Sequence, residues 1–228
     1  MSASEPAQWE ERPRMRAPWG VVALVLLTGL ALVRSGSGEF DAGPPQPAAA
    51  AAPDTRTPVS APAAAAPDST VPAAASLAFS APGRVRIPAI RVDAPLTPVG
   101  TNADGSVGAP PPEDTDLAGW FTGAVSPGEK GTAVIVGHVD NRRGPAVFYG
   151  LGALKKGDRV EVDREDGRAA VFAVYGVEVF EKSKFPGDLV YGSKGAPELR
   201  VITCGGGFTE QNGYDGNVVV FARLATSG

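Results

Sequence analysis

The single cysteine and the single histidine of this 228-residue chain each close what reads as a β-strand. Cys204 ends the run Glu198-Leu199-Arg200-Val201-Ile202-Thr203-Cys204 and is followed by Gly205, Gly206 and Gly207. His138 ends Thr132-Ala133-Val134-Ile135-Val136-Gly137-His138 and is followed by Val139 and Asp140. A thiol has an ordinary pKa of about 8.5, so it needs a nearby base or cation to become the nucleophilic thiolate at neutral pH. One thiol and one imidazole, placed where strands open into loops, therefore suit covalent cysteine catalysis. The thiol splits an amide exchange into two easier steps; the imidazole protonates the leaving amine and later deprotonates the incoming one. The plain alternatives are a small buried hydrophobe for Cys204 and a satisfied turn residue for His138.

Neighbouring residues extend this reading. Asp140, two residues beyond His138, is placed to orient the imidazole, or else is a turn-forming aspartate. Thr203 precedes the thiol on a strand and so points to the opposite face, which suggests a structural role. Gly205, Gly206 and Gly207 open a glycine-rich stretch reaching Gly216 that reads as a long hairpin loop. Such glycines let a substrate backbone approach closely and leave amide N–H groups to donate, which makes the three candidate substrate-binding residues. One histidine and one cysteine fall short of the three or four ligands of a zinc site, so no metal and no cofactor is expected. The acidic groups Glu113, Asp114 and Asp116, and Asp163, Glu165 and Asp166, read as solvated surface rather than calcium ligands.

The elements that must hold these residues are short strands. Runs rich in Val and Ile, bounded by Gly, Pro and Asp, recur from about residue 84: at 85–88, 133–137, 159–162, 169–179, 199–203 and 218–224. Alternation in Arg159-Val160-Glu161-Val162-Asp163 and in Phe172-Ala173-Val174-Tyr175-Gly176-Val177 fits half-buried strands. No amphipathic helix longer than about three turns can be drawn there. Many short strands with Gly/Pro turns point to one all-β domain, a barrel or a sandwich. With one cysteine there is no intrachain disulfide, so a hydrophobic core must supply the stability.

The preceding chain has another character. Residues 17–33 carry no charge and are dominated by Val, Leu and Ala. Seventeen residues at 1.5 Å each span roughly 25 Å, the short end of what crosses a bilayer. Arg12, Arg14 and Arg16 lie before this segment and only Arg34 follows closely, which puts the N-terminus in the cytoplasm and the rest of the chain outside. A cleaved signal peptide is the competing reading. The expected organisation is a cytoplasmic stretch 1–16, an anchor 17–34, an Ala/Pro-rich disordered linker 35–82 and a catalytic domain 83–225. A semi-extended Pro-rich spacer reaches up to about 3.1 Å per residue, enough to carry a domain across a cell wall. The net charge of −4 and the absence of a basic stripe exclude nucleic acid as an expected partner.

Four segments in order resemble the sortases, most closely the actinobacterial class F sortases. Ile87-Pro88-Ala89-Ile90-Arg91-Val92-Asp93-Ala94-Pro95-Leu96 is similar to their opening strands. Trp120 and Pro127-Gly128-Glu129-Lys130-Gly131-Thr132 through His138-Val139-Asp140 resemble their histidine segment. Val201-Ile202-Thr203-Cys204-Gly205-Gly206 and Asn217-Val218-Val219-Val220-Phe221-Ala222 resemble their cysteine strand and last strand. The resemblance implies an eight-stranded β-barrel with short helices or turns, behind a membrane anchor. It implies a transpeptidase that cleaves secreted proteins carrying an LPXTG-like sorting signal. Cys204 would form the acyl-thioester, His138 would be the general acid/base, and a peptidoglycan precursor or pilin would supply the amine that resolves the thioester. A non-enzymatic, membrane-tethered barrel that binds a cell-wall component is the alternative.

Two positions depart from the family pattern. The usual Thr-Leu-X-Thr-Cys strand here begins with Arg200, and the arginine expected at the start of the last strand is replaced by Asn217. Asparagine donates a hydrogen bond but carries no charge, so Asn217 is a candidate oxyanion or substrate donor. Arg223, six positions on, reads as too distant, and Arg142 and Arg143, in the loop after His138, are the other cations considered.

Overall fold

The computed structural model describes residues 43–47, 74–193 and 195–227. The expected cytoplasmic stretch, the anchor and most of the linker lie outside the described residues. Among the described residues no helix is long and apolar enough to cross a membrane.

The runs of Val and Ile form the expected strands. They are β1 (Pro82–Ile87), β2 (Val92–Val99), β3 (Ala118–Phe121), β4 (Gly131–Val136), β5 (Asp140–Asn141), β6 (Gly144–Pro145), β7 (Arg159–Arg164), β8 (Ala169–Glu181), β9 (Pro197–Thr209) and β10 (Gly213–Ser227). Eight of them close into a barrel in the order β1-β2-β3-β4-β9-β10-β8-β7, while β5 and β6 form a separate small hairpin. The single α-helix among the described residues, α1 (Gly187–Tyr191), is five residues long.

Alternation along each strand sorts side chains into two cores. Val85, Ile87, Ile135, Val160, Phe172, Leu199, Val201, Val218 and Val220 belong to the cluster inside the barrel. Val134, Val136, Ile202, Val219 and Phe221 point outward and form a second cluster with Val190 of α1. Strands β4 and β9 are thus covered on both faces, and every residue of β4 is buried. They run parallel, with Ile135 opposite Val201 and Val136 opposite Ile202. Central parallel strands covered on both sides read as apolar runs, which is how β4 appears in the sequence, while β9 interrupts its run with the buried pair Glu198 and Arg200.

Residues 74–81, assigned to the linker by composition, pack onto the barrel. Leu77 is buried in the interior cluster and its amide donates to the Gly128 carbonyl at 2.8 Å. The buried Arg164 side chain donates to the carbonyls of Pro127 (2.7 Å) and Ala78 (2.5 Å), tying this entry segment to the barrel. Residues 44–47, also assigned to the linker, contain the buried Pro47. The carbonyl oxygen of Pro45 lies 1.9 Å from where a Cβ on Gly152 would stand, so this close approach requires glycine. A lone leucine and short proline runs carry too little periodicity to be separated from a spacer by composition.

Arg200, the first departure from the family pattern, faces the outer cluster. Its side chain is 2% exposed, pairs with Glu198 at 2.6 Å and lies over the Phe221 ring at 4.6 Å. Tyr175 donates its hydroxyl to the same carboxylate at 3.3 Å. Replacing Glu198 by alanine strands a buried guanidinium, and urea denaturation is expected to show a loss of about 3–5 kcal/mol. The double replacement Glu198→Met/Arg200→Met is expected to regain most of that stability.

Candidate active site

The parallel pairing of β4 and β9 sets the geometry of the site. Val136 opposite Ile202 fixes an offset of 66 residues, the same offset that separates His138 from Cys204. The register continues past the strand end, where the Gly137 amide donates to the Ile202 carbonyl at 3.1 Å. Thr203, buried and pointing inward as its place on the strand requires, donates its hydroxyl to the Gly137 carbonyl at 2.8 Å. His138 and Cys204 therefore leave two adjacent strands at one level. Both stand on the outer face, since each lies two residues beyond an outward residue, Val136 or Ile202.

Asn217 completes the row. It is directly opposite Cys204 across β9 and β10, and opposed residues on antiparallel strands share a face. Cys204, His138 and Asn217 all line one cleft of about 670 Å³. Its lining also includes Val136, Gly137 and Ile202, the loop 104–109, and Lys182, Phe185 and Tyr191. Cys204, His138 and Asn217 are each half-buried, so they are shielded yet accessible.

The imidazole is held by the chain backbone. Its Nε2 is 2.7 Å from the Pro110 carbonyl oxygen. A carbonyl only accepts, so Nε2 carries a hydrogen and Nδ1 is the nitrogen left for proton exchange. Pro110 lies 28 residues before His138, and no local signal in the sequence marks it. Asp140, the expected orienting group, instead accepts a hydrogen bond from the Tyr214 hydroxyl. That contact ties the histidine segment to the β9–β10 hairpin. Burial first, and then the Asp140 carboxylate, push the Tyr214 hydroxyl well above the usual phenol range, so it stays a donor at physiological pH.

The glycines after Cys204 do a different job from the one expected of them. They lie within β9, which runs to Thr209, so the turn of the hairpin is only residues 210–212. Tyr214 opposite Phe208 and Gly216 opposite Gly205 leave one extra residue on β9, a bulge at Gly206 and Gly207. Gly206 has φ +83°, a conformation that favours glycine, and a Cβ there would meet Asp215 Oδ1 at 2.3 Å. The amides are also occupied: Gly207 donates to Asp215 at 2.7 Å, and Gly206 to the side-chain oxygen of Gln46 at 3.4 Å. Gly205 is paired within the ladder. The three glycines shape the hairpin beside the thiol rather than offering open donors to a substrate. A glycine-rich stretch reads alike in a loop and in a bulged strand, which is why the sequence suggests the former.

The other cations considered are placed clearly. Arg223 stands opposite Glu198 near the far end of β10, with its guanidinium over the Tyr175 ring at 4.7 Å. Arg142 and Arg143 are exposed between β5 and β6 and do not line the cleft. Among the described residues no group of three or more His, Cys, Asp or Glu side chains is arranged to hold a metal.

The sortase-domain family model matches residues 85–225. The chain belongs to the sortase family. Similar solved structures include sortase A of Listeria monocytogenes, at 16% identity over 64% of this chain and 87% of that one, with a TM-score of 0.48. They also include sortase C1 of Streptococcus agalactiae, at 20% identity over 64% and 69% of the two chains, with a TM-score of 0.49. A sortase from Actinomyces oris matches at 21% identity over 71% and 89%, with a TM-score of 0.49. No curated protein matches the sequence. As a sortase, the protein is a cysteine transpeptidase, and Cys204 is its only thiol.

Removing one preorganised donor near a developing oxyanion commonly costs a hundredfold or more in rate. Asn217 places a neutral side-chain amide on the strand beside Cys204. Asn217→Ala is expected to lower kcat for peptide transfer by roughly tenfold or more with a smaller change in KM. Arg223→Ala is expected to leave both nearly unchanged, and the opposite ranking would show that the far end of β10 serves the reaction.

Proposed function

We propose that this sortase is a membrane-anchored, class F-like enzyme that cleaves an LPXTG-like sorting signal and transfers the product to an amine of the cell wall or of a pilin. The observation that carries the reading is the convergence of Cys204, His138 and Asn217 on one cleft at one level of the β4–β9–β10 sheet. The class F assignment rests on the likeness of the histidine, cysteine and last-strand segments. The outward-facing, anchored arrangement rests on the apolar stretch 17–33 and the arginines before it.

In this mechanism the Cys204 thiolate adds to the carbonyl carbon of the threonine–glycine bond. Its electron pair forms the C–S bond while the carbonyl π pair moves to oxygen. The oxyanion collapses and the C–N bond breaks. The leaving amine takes a proton from the His138 imidazolium, and a thioester remains on Cys204. The incoming amine then attacks the thioester carbonyl, gives its proton to the neutral imidazole at Nδ1, and the second collapse returns the thiolate. Asn217 donates its side-chain N–H to the oxyanion in both halves. Pro110, by holding Nε2–H, keeps the ring turned so that the same nitrogen serves both proton transfers.

The detergent-solubilised full chain, given an LPXTG peptide and a diamine, is expected to release the C-terminal fragment and form the amine adduct, both read by mass. Cys204→Ala is expected to abolish both, and turnover above about a hundredth of wild type would overturn the covalent route. For the topology, protease added to wall-stripped cells is expected to remove the catalytic domain. Full protection would overturn the outward orientation.

A further inference from the structure

The cleft wall contains a cation that the sequence segments did not bring forward. Phe180 of β8 is opposite Asn217 of β10, which is itself opposite Cys204 of β9, so these three form one cross-strand row on the outer face. Lys182 follows Phe180 by two residues, just past the end of β8 at Glu181, at the next position on that face. Its side chain lines the cleft together with Cys204, His138 and Asn217. Its Nζ donates to the Tyr214 carbonyl at 2.7 Å, which ties the ammonium to the strand of the hairpin that returns toward Asn217. An ammonium has three N–H donors, so this bond leaves two for other partners.

Among the described residues that line the cleft, Lys182 is the only lysine or arginine. The acidic group on the lining, Asp104, lies in the loop 104–109 and accepts bonds from the Ser106 amide (2.9 Å) and hydroxyl (2.6 Å). Asp140, near the hairpin, is engaged by Tyr214. Among the described residues no carboxylate is paired with Lys182 in a salt bridge. Asn217 leaves the cysteine row without a charge of its own; two residues along the same face stand Lys182, just past β8, and Asp215 of β10, whose carboxylate accepts from the Gly207 amide at 2.7 Å.

We propose that Lys182 supplies the positive charge of this active site, stabilising the Cys204 thiolate and the oxyanion formed from the scissile carbonyl. The ammonium keeps its protons throughout. Sulfur donates the electron pair, carbonyl oxygen receives the displaced pair, His138 delivers the proton to the leaving nitrogen, and Lys182 acts by charge and hydrogen bonding alone. The charge has moved from the strand beside the nucleophile to the end of the next strand, while neutral Asn217 keeps the hydrogen-bonding share. This assignment rests on the transpeptidase reading for its kinetic arm, but the thiolate arm needs no substrate.

The test compares Lys182→Met, Lys182→Gln and Lys182→Arg in the full chain. Lys182→Met removes charge and tether, Lys182→Gln keeps a donor for the Tyr214 carbonyl without charge, and Lys182→Arg keeps both. Peptide cleavage is expected to show kcat lower by roughly ten- to a hundredfold for Met and Gln, with a smaller change in KM and most of the rate recovered by Arg. Alkylation of Cys204 by iodoacetamide at one neutral pH is expected to slow severalfold in Met and Gln, since only the thiolate reacts. Wild-type alkylation and turnover in Lys182→Gln would overturn the proposal and leave Lys182 as a tether for Tyr214. An Arg variant as impaired as Met would also overturn it. If the wild-type chain fails to cleave the peptide, the substrate reading fails, while the alkylation rates still decide the role of Lys182.

Discussion

The parallel alignment of β4 with β9 is the constraint on which the site depends. Because Val136 sits opposite Ile202, two residues that are 66 positions apart in the chain, His138 and Cys204, emerge side by side without any further adjustment. A shift of one residue in either strand would turn one of the two functional groups into the barrel interior. Burial on both faces of these strands makes such a slip costly, since each outward valine or isoleucine also has its own apolar partners. The same packing that stabilises the fold thus fixes the register that chemistry requires.

The outer cluster gives the cleft its dry floor. Strand β10 adds Asn217 beside the thiol, and the bulge after Cys204 lets the hairpin carry Tyr214 to Asp140. Through that contact the two chain segments flanking the reacting groups support each other. The imidazole is anchored from a third direction, by Pro110 in the loop before β3. Residues 44–47 lie against the same end of the barrel, where Gln46 meets Gly206 and Pro45 approaches Gly152.

Much of this was legible in the residues. Six Val/Ile runs mark strands correctly because β-branched side chains packed on two cores leave long apolar stretches. His138 just past the end of β4 and the pairing of Asn217 with Cys204 were also readable, since the end of β4 and the spacing of the last two strands are local properties; the end of the cysteine strand was not, because β9 runs past Cys204 through the glycines to Thr209. Strand β2 was harder to see in the residues alone, because Pro95 and Pro98 interrupt its pattern. Asp140 was a poor guide because proximity in sequence says little about which partner a carboxylate meets across a loop. Pro110 acts through its backbone, which no side-chain pattern reveals. Lys182 sits in the charged run Glu181-Lys182-Ser183-Lys184, which resembles any solvated turn until β8 is placed next to β10.

The buried pair Arg200–Glu198 has a consequence for how this sheet can change over generations. A carboxylate that loses its partner can take up a proton and become neutral, and Glu198 would still receive the Tyr175 hydroxyl. A guanidinium has no such escape, because it stays charged at any physiological pH. The two sites are therefore unequal along a mutational path: descent that loses Arg200 first passes through a tolerable intermediate, and descent that loses Glu198 first does not. Relatives lacking one member of the pair should retain the acid, with an apolar residue stacked on Phe221 where the arginine lay.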